Sequence, residues 1–460
     1  MSRNHDPEFV RPDYRSVRPE PVEGQDNARP RLRHAQPERV ESDRPGHLQS
    51  VRPEPVEGQD NARPGLRQAQ PERVGGDQPS RLLPPLLAAL RAGRGFAHKR
   101  DIARVMQALD GDAPAAMGET TVMPTRAPTT VPNGDDCAVL PLPGGGHQLL
   151  AIEGLMPDFV QQQPWFAGYS AVMVNLSDVA AMGGRPTAVV DALWSADEAT
   201  TAELLRGMRA ACAQYGVPLV GGHTNLRSAG AQLAVAVLGR AERLISSFAA
   251  RPGDRLLVAT DLRGAWQGDA PFWNASTSAP AARLQADLAL LPQLAEAGLV
   301  DAGKDISMAG VLGTLLMLLE CSGCGARVEL DHLPCPTRAQ GGTDWHEPGD
   351  EAQARRLRWL SAFPSFGFVL AVRPALATEV QARFSEHGIA CADIGEVQAG
   401  TRLEVALGEE QACLWDLAES GFILGGPATS ATVPRSASAS ASASACVPAS
   451  VESAKERHHA

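Results

Sequence analysis

Asn133-Gly134-Asp135-Asp136-Cys137-Ala138-Val139-Leu140 sets two adjacent carboxylates between a glycine and an apolar, strand-forming run. Two readings are open. Asn-Gly-Asp is strong turn chemistry ahead of a strand. Alternatively, a divalent cation relieves the repulsion between neighbouring acids, and hard oxygen donors suit Mg²⁺. Working outward, residues 138–140 form a strand that ends in Pro-Leu-Pro-Gly-Gly-Gly. Residues 149–152 form the returning strand, with Glu153 at its end. The pair is a hairpin with acids at one edge.

A helix follows over residues 167–182. Gly183-Gly184 stops it and Pro186 prevents its continuation. Within it, Asn175 and Asp178 share a face. The helix is otherwise apolar, so a carboxylate there needs a partner cation or a metal. Residues 187–194 form a strand. Thr200 and Glu203 pattern as a capping box for the helix that ends at Gly216. Residues 217–220 form a strand running into Gly221-Gly222-His223-Thr224. Two readings fit those glycines: a tight turn, or backbone amides approaching phosphate oxygens, which only glycine allows. Residues 233–238 close the first domain, and residues 256–260 open a second. The second continues through a buried helix at 308–320 and strands at 327–330, 367–372 and 403–405. A polar loop insertion spans 336–356.

The ends differ in kind. Residues 16–40 recur almost unchanged at 50–74. Their prolines forbid helices and they lack an apolar face, so residues 1–79 are expected to be disordered. The Ser/Ala alternation near residue 440 gives the same expectation for 427–460. Residues 80–117 form an N-terminal helical segment. Residues 118–247 and 248–426 form the two domains.

The chain of 460 residues carries a formal net charge of −11, almost all of it beyond residue 80. An acidic body argues against nucleic acid as the main partner. The longest apolar run, 306–319, is too short to span a bilayer. The scattered cysteines and the lack of an apolar leader point to the cytoplasm. Cys321, Cys324, His332 and Cys335 could hold zinc, although their spacing matches no common site. Lysine occurs only at 99, 304 and 455. Lys304, beside Asp305, is therefore a candidate phosphate or substrate contact, and Lys99 a further phosphate contact.

Gly134-Asp-Asp-Cys-Ala-Val139, Asn175-Leu-Ser-Asp-Val-Ala-Ala-Met-Gly183, Gly221-Gly-His-Thr224 and Asp305-Ile-Ser-Met-Ala-Gly310 occur in this order. Together they resemble the aminoimidazole ribonucleotide (AIR) synthase superfamily. That superfamily includes AIR synthase, thiamine-monophosphate kinase, selenophosphate synthetase and a hydrogenase maturation dehydratase. Lys304-Asp-Ile-Ser-Met-Ala-Gly310 and Phe363-Pro-Ser-Phe-Gly-Phe368 are similar to AIR synthase-related proteins of unassigned substrate, from nitrilase gene clusters or of methanogenesis-marker type.

The resemblance implies a two-domain α+β (α/β) fold of PurM-like type. Its N-terminal mixed sheet forms a barrel with a second copy in a homodimer, and its C-terminal mixed sheet is flanked by helices. It implies ATP and Mg²⁺, with Mn²⁺ as an alternative, and phosphoryl transfer to a small-molecule substrate. Asp135, Asp136, Glu153 and Asp178 are the implied metal ligands. Gly134, Asn175, Ser177, Gly221, Gly222, Thr224 and Lys99 are the implied nucleotide contacts. Lys304, Asp305 and His223 are the implied catalytic groups. His223 stands where relatives carry an acid, and Met308 replaces an Asp of thiamine-monophosphate kinases. Both departures weigh against thiamine phosphate as substrate. A non-catalytic nucleotide-binding dimer serving a partner enzyme is the alternative.

Overall fold

The computed structural model describes residues 81–111 and 131–424. The segments expected to be disordered, 1–79 and 427–460, lie outside the described residues, as does 118–130 at the start of the first domain.

Two helices lead the described chain, α1 (Leu83–Ala92) and α2 (Arg94–Gly111). Leu83, Leu86, Leu87 and Leu90 bury one face of α1. Its first amides are satisfied from far away: Leu82 N and Leu83 N donate to the Glu410 carboxylate at 2.8 and 3.0 Å. A carboxylate here meets both the orphan N–H groups and the positive end of the helix dipole.

The first domain comprises β1 (Ala138–Pro141), β2 (His147–Gly154), α3 (Pro157–Gln162), α4 (Pro164–Ala181), β3 (Arg185–Trp194), α5 (Glu198–Tyr215), β4 (Leu219–Asn225) and β5 (Gln232–Ala241). The sheet order is β1-β2-β5-β3-β4, with only β3 and β4 parallel. Period-two alternation turns Val139, Leu149, Val189, Val235 and Val237 inward onto α4. Helix α4 is buried along nearly its whole length, as its all-round apolarity requires. It crosses α5 closely, because Gly168 lies against the Leu204 carbonyl and Gly207 against that of Trp165. A β-carbon at either glycine would overlap backbone.

Asp197, not the Thr200–Glu203 pair, caps α5: its carboxylate accepts from Ala199 N and Thr200 N. Glu203 instead pairs with Arg206. The sheet is open within one chain, with β1 and β4 as its edges. Its outer face exposes Leu150, Ile152, Val190, Val220 and Leu238. In register, Ile152 and Val190 both oppose Ala236 of the strand between them.

The second domain comprises β6 (Arg255–Thr260), β7 (Ala265–Trp266), β8 (Phe272–Asn274), α6 (Ala281–Leu288), α7 (Leu290–Glu296), β9 (Ala302–Asp305), α8 (Gly310–Ser322), β10 (Gly325–Glu329), α9 (Asp350–Leu360), β11 (Phe363–Pro364), β12 (Gly367–Val372), α10 (Pro374–Glu386), β13 (Ala390–Gln398), β14 (Arg402–Leu407) and β15 (Glu410–Asp416). Its seven-stranded sheet runs β15-β14-β10-β13-β6-β12-β9. Helices α1 and α8 contribute to the core on one face, and α7 and α10 to the core on the other. The result is a two-domain α+β fold.

The expected loop insertion at 336–356 is partly wrong, since α9 begins at Asp350. Arg356 is fully buried there and donates to the carbonyls of Asp344, Trp345 and Glu347. A buried arginine that ties down a loop has no periodic signature.

Candidate active site

Three chain segments bring one carboxylate each to a single point. Asp136 comes from the turn before β1, Asp178 from α4 and Asp305 from the end of β9. One oxygen of each lies within 4.8 Å of the others. Asp136 Oδ2 and Asp178 Oδ2 are buried without a hydrogen-bond partner. Lys304 pairs with the other oxygen of Asp136, and both side chains are almost fully buried.

The electrostatics follow from burial. Burial pushes the Asp178 carboxyl well above the usual range, and Asp305, Glu153 and Asp136 push it further. Burial raises Asp305 to about 6, against the pull of Lys304. Burial alone would lower Lys304, but Asp136 and Asp135 overcome it, so the ammonium stays protonated. Crowded acids with unpartnered oxygens are costly unless a cation neutralises them. The donor set, all oxygen, fits Mg²⁺ or Mn²⁺.

Beside the acids opens a cavity of ≈ 150 Å³. Phe166, Ser170, Met173, Val174 and Asp178 line it from one stripe of α4. Phe159, Phe272, Phe363 and Trp273 form an aromatic wall, Ser307 and Met308 add to the lining, and Glu153 and Lys99 act electrostatically on the acids at the polar end. Phe272 sits 5.2 Å from Phe159 and 6.3 Å from Phe363 between ring centroids.

The residues singled out from sequence divide into two groups. Asp136, Glu153, Asp178, Lys304, Asp305 and Lys99 meet at the acid cluster or line the cavity. Asp305 belongs with the metal-ligand candidates, where sequence had made it catalytic. The remaining residues are not brought there.

Asp135 is spent on structure. Its carboxylate accepts from Ser246 Oγ at 2.6 Å, Ser247 Oγ at 2.7 Å and Ser247 N at 3.0 Å. Gly134 serves the turn reading: its φ of +122° favours glycine, and a side chain would crowd Cys321 and Leu424. Asn175 is buried, with its amide nitrogen on the Ala171 carbonyl at 2.7 Å. Ser177 faces a small separate cavity with Tyr215 and Ser276.

Gly221, Gly222, His223 and Thr224 are neither a turn nor a phosphate loop within one chain, because all four lie inside β4. Gly222 is needed for packing, since a β-carbon there would fall 2.2 Å from Asp191 Oδ1. Gly221 and His223 oppose Val190 and Ala192 in register, and the His223 ring lies 6.3 Å from that of Trp194. Among the described cysteines, Cys321 donates to the Gly134 carbonyl, Cys324 to Ala250 and Ser322, and Cys335 to Thr343, so they do not converge as a zinc site would.

Sequence reading missed the aromatic wall. Phe159, Phe166 and Phe272 are far apart in sequence and carry no spacing signal. Phe363 alone stood in a quoted motif.

The two-domain α+β scaffold, with an acid cluster drawn from both domains, defines a fold class. Within that class, residues 134–241 match the N-terminal domain, and residues 252–408 the C-terminal domain, of the AIR synthase related protein family. The chain belongs to that family. It is 43% identical to the uncharacterized protein sll0787 of Synechocystis, over 74% of this chain and 97% of that one. It is 28% identical to a thiamine-monophosphate kinase of Caulobacter vibrioides, over 58% and 78% of the two chains. The fold is shared with Thermotoga maritima PurL, solved in complex with ATP, at a TM-score of 0.50 and 20% identity over 63% of this chain and 46% of that longer one. No helix among the described residues is long and apolar enough to cross a membrane.

Proposed function

We propose that the protein is an ATP-dependent, divalent-metal-requiring enzyme that activates a small-molecule substrate by phosphoryl transfer. The observation that carries this reading is the convergence of Asp136, Asp178 and Asp305, with two buried oxygens left unpartnered beside a substrate-sized cavity. Family membership supports it, since relatives bear the names thiamine-monophosphate kinase and selenide, water dikinase.

Asp136, Asp178 and Asp305 would hold the cation, with Glu153 nearby. A bound cation supplies charge neutralisation at the transferring phosphoryl group. The chain's own part is positioning. Lys304 fixes Asp136 and works against the burial that raises its carboxyl to about 7. Lys99 brings a positive charge from α2 to the acids Glu153 and Asp305. The acceptor oxygen would take the terminal phosphoryl group as the bond to the β-phosphate oxygen breaks, and ADP would leave. The proton lost by the acceptor would go to Glu153, whose carboxyl burial raises, or to solvent.

A homodimer completes the reading. The apolar outer face of the first sheet is of a kind that monomers seldom expose, and it carries Gly221 and His223. Pairing through it would bring those two residues to a second copy.

Calorimetric binding of ATP to the full chain, with Mg²⁺ or Mn²⁺, tests the proposal. Metal-dependent binding that is lost in Asp178→Asn is the expected result. A folded wild-type protein that binds no ATP with either metal would overturn it.

A further inference from the structure

The cavity beside the acids is more specific than a generic substrate site. Its volume of ≈ 150 Å³ equals that of an apolar protein cavity that holds one benzene ring. Its wall is aromatic: Phe159, Phe166 and Phe272 lie with ring centroids 5.2 to 6.3 Å apart. Met156, Met173 and Met308 add soft, adaptable surface.

Charge is arranged at one end only. Glu153, Asp178 and Asp305 stand there, with Lys99 the sole cationic side chain among the lining residues. Among the described residues, no arginine lines this cavity. A phosphate on the far part of a ligand is best held by arginine forks or lysines, and among the described residues the aromatic wall supplies neither, its polar feature being the first turn of α4 at Phe166. The adjoining cavity, which shares Phe159 and Phe272, has Arg94, but Asp158 lines it too. Ser307 Oγ is buried in the lining without a partner. That hydroxyl is free to hold a ligand oxygen next to the acids.

We infer that the acceptor is a small molecule with one oxygen nucleophile, a hydroxyl or a carboxylate, on a single aromatic or branched apolar body that carries no phosphate of its own. The head lies at Ser307 and the acid cluster, and the body fills the phenylalanine wall. A sugar phosphate or second nucleotide fails on both counts, because its polar body would desolvate against the rings and its phosphate would find no cation there. This inference rests on the phosphoryl-transfer reading for the role of the head, but the composition of the wall stands apart from it.

The test uses the full-length protein with Mg²⁺ and two probes, 3-phenylpropionate and ribose 5-phosphate, in calorimetric titration and in an assay of ADP release from ATP. The phenyl compound is expected to bind and to raise ADP release, with ribose 5-phosphate doing neither. Phe272→Ala is expected to weaken phenyl binding at least tenfold while leaving ATP affinity unchanged. Phe363→Leu, which keeps apolar volume, is expected to weaken it severalfold and guards against a folding defect in the first variant. Tighter binding of ribose 5-phosphate, or phenyl binding indifferent to both variants, overturns the inference. Loss of ATP affinity in Phe272→Ala also overturns it, by making the wall a nucleotide pocket. Phenyl binding by a wild-type protein that binds no ATP would instead sink the enzyme reading and leave the cavity's ligand class standing.

Discussion

Lys304 on β9 and Asp136 ahead of β1 form an ion pair that joins the second domain to the first across 168 residues of chain. The pair is buried, so each charge depends on the other. Removing the cation strands a carboxylate in an already crowded acid cluster. Lys304→Met is expected to destabilise the protein by about 3–5 kcal/mol in denaturant unfolding. Lys304→Met combined with Asp136→Leu is expected to recover much of that loss, because no unpaired charge remains. An additive double variant would show that the two residues are not coupled.

Metal affinity is expected to rise with pH. In the cation-free protein Asp305 is raised to about 6 and Asp178 higher than usual, both first by burial. A free Asp titrates near about 3.9, so the folded state favours the protonated acid. The Asp305 contribution to stability is complete below about pH 4 and is lost as pH rises through about 6, and that of Asp136, raised to about 7, is lost later. In chelator, the thermal midpoint should therefore fall between about pH 5 and about pH 7. With Mg²⁺ the fall should be offset, because the cation binds the ionised acids. Parallel melting curves with and without Mg²⁺ at every pH would contradict this.

Glu320, buried on α8, accepts from three successive amides, Phe422 N at 2.7 Å, Ile423 N at 2.6 Å and Leu424 N at 3.3 Å. Glu320→Ala leaves these amides without their acceptor and is expected to cost about 2–3 kcal/mol. Hydrogen exchange should accelerate at residues 422–424 first. Unchanged protection there would mean that the Phe422 ring alone anchors the segment.

Ile152 is 69% exposed on the apolar face of the first sheet. Ile152→Glu is expected to halve the sedimenting mass without lowering helix content. A wild-type protein that sediments as a monomer would remove the dimer from the proposal.

The central helix was legible because Gly183-Gly184 stops it, whereas the two-domain α+β fold was legible only through the motifs that resemble the family. Asp136, Asp178 and Asp305 each stood in a quoted motif, but Asp305 was read as catalytic, and its meeting with the other two acids has no sequence signal. Asp135 was not: adjacency to Asp136 suggested a shared role, but the strand entrance turns neighbouring side chains apart, and Ser246 and Ser247 lie 111 and 112 residues away. Gly222 was read for phosphate because a glycine gives no sign of which neighbour needs the space, and here it is Asp191. Thr200 and Glu203 had the spacing of a capping box, yet the helix starts earlier, with Asp197 accepting from Ala199 N and Thr200 N. The aromatic wall was invisible, since its rings meet only after α3, α4 and β8 are assembled.

The clasp of Glu410 on α1 sets an order of events during synthesis. The first amides of that helix meet their acceptor 327 and 328 residues later, on the last strand described. Until β15 leaves the ribosome, the opening amides of α1 lack their carboxylate, so the segment that leads into α2 and Lys99 is clasped by a strand made after every residue of the acid cluster.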